Sequence, residues 1–437
     1  MMNIAAALEQ RQRENRPIRV GLVGVGQMGA GFIAQTSLMH GMDVVAASDI
    51  EIQRAVAAFR AIGIGEDAIA ILPNNAPLHY ASEAIAAGKR VITSNASLVT
   101  AIDAIDAIVE ATGIPSVGAF VAYQTILARR HIIMLNVETD VTVGYLLKRM
   151  ADSAQVIYTT TAGDEPGAIL ELYDFATSLG FDVVALGKGK NNPLDHSATP
   201  EKLTEQAQRQ EMSPKMLASF VDGTKTMVEM TAVANATGFV PDVSGMHGPS
   251  ATPDTLAQIF CPIEDGGILS RCGVVDYALG GVAPGVFLVF TTSQSKVAKD
   301  LRYLRLGPGP YWALYRPYHL ANIETPLSVA QAVLFHQTTL AAKGVPVAET
   351  TTIAKKDLAE GDIIDGLGGT MVHGNIERME VAQAKRMLPL GLSGRARVLH
   401  PVKCGQTLTY DDVALDEQAF IVHARRLQDI LVQEELR

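Results

Sequence analysis

Cysteine is scarce in this chain of 437 residues: Cys261, Cys272 and Cys404 are the only three. Three scattered thiols build neither a disulfide framework nor a four-ligand zinc site, and a reducing compartment is the expectation that follows. Aromatic residues make up 5% and there is one tryptophan, which argues against a β-sandwich. Positive charge is in deficit, with 36 Lys+Arg against 46 Asp+Glu and a formal charge of −10, so the chain as a whole repels polyphosphate backbones and nucleic acid is not an expected partner. Long apolar runs are missing too: Gly, Pro or a charge interrupts each one before it reaches bilayer-spanning length. The opening MMNIAAALEQRQRENRP lacks a basic n-region and cleavage site and reads as a helix packed on the first domain. Together these readings give the expectation of a cytoplasmic protein with no membrane partner.

What is abundant points to an α/β protein. Hydrophobic residues reach 48% and glycines number 38, enough for large cores and many tight turns between strands and helices. From Ile18 a short apolar run, a glycine cluster and a helical stretch repeat: IRVGLVG, a helix near Met28–Met39, DVVAASD, then a helix from Glu51. RVITS, DAIVEATG, HIIMLN, QVIYTT and DVVALGKG continue the alternation to Gly189. Strands that are apolar throughout are buried on both faces, so the pattern predicts a doubly wound parallel sheet over 1–190. A polar, proline-punctuated stretch follows, NNPLDHSATPEKLTEQAQRQEMSP, as of a surface excursion or lid. An α+β substrate domain is expected over 191–343, with a helix near Pro214–Thr237 and strands in GVVDYALGG, GVFLVFTT and YWALYRPYHL. Short β-like pieces between turns predict a small β-rich third domain over 344–437.

Gly24-Val25-Gly26-Gln27-Met28-Gly29 follows the first strand directly and opens a helix, the context a dinucleotide fingerprint requires. Gly24 serves the tight turn, Gly26 lets a pyrophosphate approach the backbone, and Gly29 permits close packing of helix on strand, while the free N–H groups of the helix start attract the phosphates. Asp49, twenty residues past Gly29, is placed to accept from the adenosine ribose hydroxyls. That favours NAD, yet Arg54 one helical turn further on is placed to pair with a 2′-phosphate, so NAD and NADP both stay open. Thr112 and Gly113 after DAIVEA, and Asn136 after HIIML, stand where later strands meet the cofactor.

A second constellation gathers at the carboxyl ends of the later strands, where open α/β sheets place ligands. Asn136 and Glu138 follow one strand, Asp164 and Glu165 another, and Lys188, Lys190, Asn191 and Asn192 a third. Paired carboxylates suit a hard divalent cation, and lysines beside glycines suit a phosphate or a polarised carbonyl. The competing reading makes Asp164 and Glu165 the amino-terminal cap of the helix that starts at Pro166. Asp222, Lys225 and Glu229, at helical spacings of three, four and seven, point to one face, either a solvated salt-bridge stripe or a cleft wall with Lys225 as general acid. His196 and His247 lie in polar loops where an imidazole meets substrate more readily than a core.

The run from GLVGVGQMG through DAIVEATG, TTTAGDEPG and GKGKNNPLDHSATPEKL resembles a family related to homoserine dehydrogenases, the 1-deoxy-D-xylulose 5-phosphate reductoisomerase-like proteins. The tail, in AKKDLAEGDIID and PVKCGQTLTYDDVAL, resembles the SAF or antifreeze-like β-clip module carried by that family. The resemblance implies a Rossmann-type domain, a substrate and dimerisation domain, and NADPH-dependent conversion of 1-deoxy-D-xylulose 5-phosphate to 2-C-methyl-D-erythritol 4-phosphate for isoprenoid synthesis, with inhibition by fosmidomycin. It implies Asp164 and Glu165 as ligands of Mg or Mn, and Lys188, Lys190, Lys225 and His196 as phosphate or proton-transfer groups. The chain departs from ordinary reductoisomerases in having no Asp-Ser-Glu-His run, so the metal ligands do not carry over by motif.

Two further readings stand beside this one. A homoserine-type dehydrogenase needs no carbon shift and would move a hydroxyl proton with Lys225 and Asp222 or Glu229. A redox sensor would hold the dinucleotide without turnover; the density of acid, base and amide groups at the strand ends argues against it. A small phosphorylated molecule is the expected partner, and a homodimer the default assembly.

Overall fold

The computed structural model describes residues 3–435. The chain divides into two compact units, each assembled from separate stretches. The first holds the chain up to Asp164 together with Leu320–Ala341 and His423–Leu431; the second holds Glu165–His319, Ala342–Val422 and Val432 onward.

The first unit is the doubly wound sheet that the sequence predicts. Strands β1 (Ile18–Val23), β2 (Met42–Ser48), β3 (Ile69–Ile71), β4 (Arg90–Thr93), β5 (Ala107–Glu110), β6 (His131–Met134) and β7 (Tyr158–Thr160) lie in the order β3-β4-β2-β1-β5-β6-β7. Every pairing is parallel. Because helices cover both faces, the central strands are buried beyond their opening residues, and Val20, Leu22, Val44, Ala47 and Val109 share one core with Phe32, Ile33 and Phe59. The helix expected at the amino terminus is Ile4–Arg13, which adds Leu8 to this core; Met1 and Met2 lie outside the described residues. A late helix, Ala321–Phe335, belongs here and not with the substrate region, because its buried Val329, Ala330 and Ala332 complete the same core.

The second unit is built on a mixed sheet. Strand β8 (Asp182–Gly189), expected as the last strand of the first sheet, is central to this second one. Two short strands, β9 (Val240–Pro241) and β10 (Ser250–Ala251), and the longer β11 (Val274–Gly280), β12 (Val286–Thr291) and β13 (Tyr311–Arg316) complete it. β8 runs parallel to β11 and antiparallel to β12, a choice its own apolar sequence does not specify. On one face the helices Glu165–Ser178 and Thr224–Thr237 pack Ile169, Met227, Met230 and Val233 against Leu186, Val275 and Leu288; on the other, Leu256 and Phe260 meet Ala185, Val274 and Val289.

The helix expected over Pro214–Thr237 is two helices, Pro214–Val221 and Thr224–Thr237, broken at Gly223, whose φ of +89° is a left-handed conformation that a side chain resists. In the tail, β14 (Ala348–Ala354) and β15 (Val372–Arg378) form an antiparallel hairpin, and two short strands, β16 (Arg397–Val398) and β17 (Val413–Ala414), pair beside it. Up to Val422 this tail clusters with the second unit. One fastening is Asn235, whose Oδ1 accepts from Val347 and Ala348 N–H while its Nδ2 donates to the Ala348 carbonyl.

Candidate active site

In the first unit the fingerprint glycines stand where their chemistry requires. Gly24 has φ +93°, and a Cβ there would lie 2.7 Å from the Ala111 backbone. A Cβ on Gly29 would lie 2.1 Å from the Gly24 carbonyl, so only glycine lets the helix Gln27–Thr36 come this close to β1. Gly26 is different: a Cβ there would meet nothing within 4 Å. Its space opens outward beside a helix start whose N–H groups no side chain caps, which suits a pyrophosphate. Gln27 and the exposed Met28 form the first turn.

Asp49 has a second task beyond the one its position suggested. Its Oδ2 accepts from Val25 N–H at 2.7 Å and its Oδ1 from Glu51 N–H at 2.8 Å, tying the glycine loop to the end of β2. Arg54 pairs with Glu51 at 2.7 Å on the exposed helix surface. Asn136 is fully buried, caps the helix Val137–Ala154 by accepting from Thr139 N–H, and donates to the Ile114 carbonyl. Its amide is thereby occupied with local structure. Thr112 and Gly113 do flank the fingerprint, and Thr112 bonds through N–H and hydroxyl to Glu110 Oε1. Glu110 ends β5 fully buried, and burial, outweighing the Thr112 hydrogen bonds, pushes its carboxyl up to about 7. Asp140, buried and accepting from Tyr158 at 3.0 Å, is pushed up to about 7 for the same reason. Both acids escaped the sequence reading because each lies inside an otherwise ordinary element.

In the second unit the two-residue period of β8 turns Lys188 toward the same helix face as Leu186. There its ammonium joins two carboxylates: Glu165 at 2.6 Å, from the first turn of one helix, and Glu229, from the middle of another. Burial alone would lower the Lys188 pKa, but the two carboxylates outweigh it and hold the lysine firmly charged. Lys225, one turn before Glu229, lies 3.8 Å from its other oxygen. His319, which the sequence reading missed, places Nε2 3.4 Å from Glu165 while Nδ1 faces the Pro284 carbonyl at 2.7 Å. Lys190, just past β8, reaches the Phe220 carbonyl at 2.6 Å; burial first, then the neighbouring Lys188 charge, lowers its pKa to about 8.

The other predicted groups separate from this cluster. Asp222 lies outside the Thr224–Thr237 helix: Oδ1 accepts from Thr224 N–H at 2.8 Å, and Oδ2 forms a fully buried ion pair with Lys355 at 2.7 Å. Lys355 also donates to the carbonyls of Ala198 and Gly369, so the pair fastens the tail to the helix start. His196 is exposed, bonds the Asp222 carbonyl at 2.9 Å and stacks on His373. His247 sits apart as a dyad with the buried Asp276, Nδ1 to Oδ2 at 2.7 Å, and that bond raises its pKa. Asp164, the last residue of the first stretch of the first unit, is buried. Of the carboxylates expected at a metal, Glu165 is held by Lys188 and His319, and its carboxylate and that of Glu229 lie within 4.8 Å of each other, an acid grouping that could hold a metal ion.

Residues 163–325 match the family model for the catalytic domain of oxidoreductase DRL. The match spans Glu165, Lys188, Lys190, Lys225, Glu229 and His319. The matched stretch is thus similar to an oxidoreductase catalytic domain. No curated protein matches it. Among solved structures it is similar to a probable dehydrogenase from Thermotoga maritima, at 12% identity over 63% of this chain and 73% of that one, with a TM-score of 0.38. It is also similar to a myo-inositol dehydrogenase from Lactobacillus casei in complex with NAD(H) and myo-inositol, at 14% identity over 63% and 64% of the two chains and a TM-score of 0.35. A DOX-P reductoisomerase with fosmidomycin and magnesium is similar at 13% identity over 75% and 72%, with a TM-score of 0.41. Among the described residues no helix is long and apolar enough to cross a membrane.

Proposed function

We propose that the protein uses NADPH to reduce a small phosphorylated carbonyl compound, with 1-deoxy-D-xylulose 5-phosphate the first candidate and 2-C-methyl-D-erythritol 4-phosphate its product. The observation that carries this reading is the lysine-rich cluster at the carboxyl end of β8. Lys190, bonded to the Phe220 carbonyl, and Lys225, 3.8 Å from Glu229, are the cations that would meet an anionic substrate, while Lys188 is taken up by Glu165 and Glu229. Lys188, locked between two carboxylates, is a fixed charge and not a proton carrier. Lys190, with a pKa of about 8, is the group poised to give a proton to a carbonyl oxygen as it becomes an alcohol. When bound, the nicotinamide supplies the hydride; the open space at Gly26 and the uncapped helix start are the features that fit its pyrophosphate.

A plain dehydrogenase without a carbon shift is the second reading, and the Lys188 ion pairs favour it. They engage Glu165 and Glu229, so a metal at these acids would have to compete with the Lys188 ammonium. The deciding measurement is loss of NADPH absorbance with 1-deoxy-D-xylulose 5-phosphate, with and without Mg²⁺ or Mn²⁺ and with NADH as control cofactor. Consumption with the branched alcohol as product supports the reductoisomerase. Consumption only with other phosphorylated carbonyls or homoserine-type substrates moves the assignment to the dehydrogenase. Binding of NADPH with no consumption by any of them overturns both. On this reading Arg54→Ala weakens NADPH and leaves NADH unchanged, because only the 2′-phosphate needs the guanidinium.

A further inference from the structure

Glu110 ends β5, and β5 lies beside β1 with Glu110 level with Val23, the residue before Gly24. The strands are tied again one residue on, where Ala111 N–H donates to the Val23 carbonyl at 2.7 Å. The turn after β5 then runs against the fingerprint itself: a Cβ on Gly24 would stand 2.7 Å from the Ala111 carbonyl carbon and 2.8 Å from the Thr112 nitrogen. Thr112 is held in this turn by Glu110, whose Oε1 accepts its N–H at 3.0 Å and its hydroxyl as well. The glycine loop thus leans on a turn that one buried carboxyl holds in shape.

The surroundings of that carboxyl decide its charge. Oε2 makes no hydrogen bond and lies 2.9 Å from the place a Cβ on Gly118 would take, so the helix Pro115–Leu127 closes over it. The Asn136 amide nearby donates to the Ile114 carbonyl instead. In the sheet its neighbours are the apolar Val23 of β1 and Met134 of β6. The helix Val137–Ala154 brings up Glu138, and β7 brings Tyr158, with Asp140 bonded to its hydroxyl at 3.0 Å. An ionised Glu110 would therefore have one oxygen without a donor and a second acid beside it. Burial first, then the Glu138 charge, favours the proton and outweighs the Thr112 hydrogen bonds, carrying the group up to about 7.

We infer that Glu110 is a positioning residue for the dinucleotide: as a neutral acid it keeps the turn 111–113 in the shape on which the glycine loop leans, and its proton and the bound pyrophosphate stabilise each other. The inference rests on the reading of residues 24–29 as a dinucleotide loop and is independent of the substrate reduced in the second unit. Loss of the proton places a carboxylate beside the loop that receives the pyrophosphate, where burial leaves the repulsion poorly screened. By reciprocity the pyrophosphate makes Glu110 harder to ionise, so binding above neutrality takes up a proton and affinity falls as the pH rises.

NADPH titration of the full chain from about pH 6 to about pH 8.5 tests this, by fluorescence and by calorimetry in two buffers of different ionisation enthalpy. Glu110→Gln keeps an acceptor for Thr112 and has no proton to lose. The Kd of the parent divided by that of Glu110→Gln should rise at least about fivefold across the interval, the low end of coupling between two sites. At about pH 7.5 the parent should also take up more of a proton on binding than the variant does. Titration of the NADPH phosphates is common to both proteins and cancels from these comparisons. Asp140→Asn should keep the parental profile, because Asp140 bonds Tyr158 and not the turn. A constant ratio or equal proton uptake overturns the inference and leaves the dinucleotide site standing. Loss of the step in Asp140→Asn overturns it too, by assigning the proton to that acid. Absence of NADPH and NADH binding in the parent overturns both the inference and the reading beneath it. If Glu110→Gln fails to fold, proton uptake by Asp140→Asn decides, and its absence refutes the coupling.

Discussion

Replacing Glu110 with glutamine isolates the energetic consequence of a buried acid beside the dinucleotide fingerprint. Burial raises this carboxyl from 4.5 to about 7, so the folded chain keeps a proton that the unfolded chain releases across that interval. Below about pH 4.5 both states are protonated and the group costs nothing; as pH rises through about 7 the unfolded state gains a hydrated carboxylate and stability falls. The interval corresponds to about 3 kcal/mol, full weight being justified because the side chain is completely enclosed. Glutamine has nearly the same shape, and its amide oxygen accepts the same hydrogen bonds from Thr112. Asp140, raised for the same reason, is present in both proteins and cancels from the difference. Urea unfolding followed by circular dichroism at several pH values should show the variant and the parent about equal near pH 4.5. The variant should then gain progressively, to about 3 kcal/mol near pH 8, with unchanged denaturant slope. Parallel pH profiles for the two proteins would refute the argument, because they would mean that Glu110 ionises alike in both states.

Three further outcomes follow from the site geometry. Gly24→Ala should destabilise the first unit, since its Cβ meets the Ala111 backbone at positive φ, whereas Gly26→Ala should melt like the parent and lose dinucleotide affinity; thermal melting beside NADPH fluorescence titration separates the two. Lys188→Met should cost about 3–5 kcal/mol by leaving Glu165 and Glu229 buried together without their cation, and adding Glu229→Gln should restore part of it, as unfolding free energies will show. With Lys190 as proton donor, kcat should fall as pH rises through about 8, and Lys190→Ala should lower it by about a hundredfold or more with the pH step removed; a step that persists in the variant excludes Lys190 as its origin.

The sequence by itself determined what depends on neighbours along the chain. The positive φ at Gly24, the close helix approach at Gly29 and the open face of Gly26 are demands of a single turn, readable from glycine spacing. The buried parallel strands were equally plain, because apolar runs alternating with helices have few other solutions. Tertiary structure decided which partners those local pieces meet. The apolar run of β8 reads alike in a parallel or an antiparallel setting, and it was the arrival of β12, about a hundred residues later, that drew it into the second sheet. The helix Ala321–Phe335 carries no mark of the unit it completes until Val329 and Ala330 are seen in the first core. Lys188 was visible as a candidate, but its character was not. Two glutamates 23 and 41 residues away make it a fixed charge, and a lysine 133 positions beyond Asp222 turns that acid into a fastening. Spacing along a helix or strand fixes which face a side chain takes; what waits on that face, and so whether it carries a proton, a ligand or only a neighbour's charge, is settled when distant segments pack.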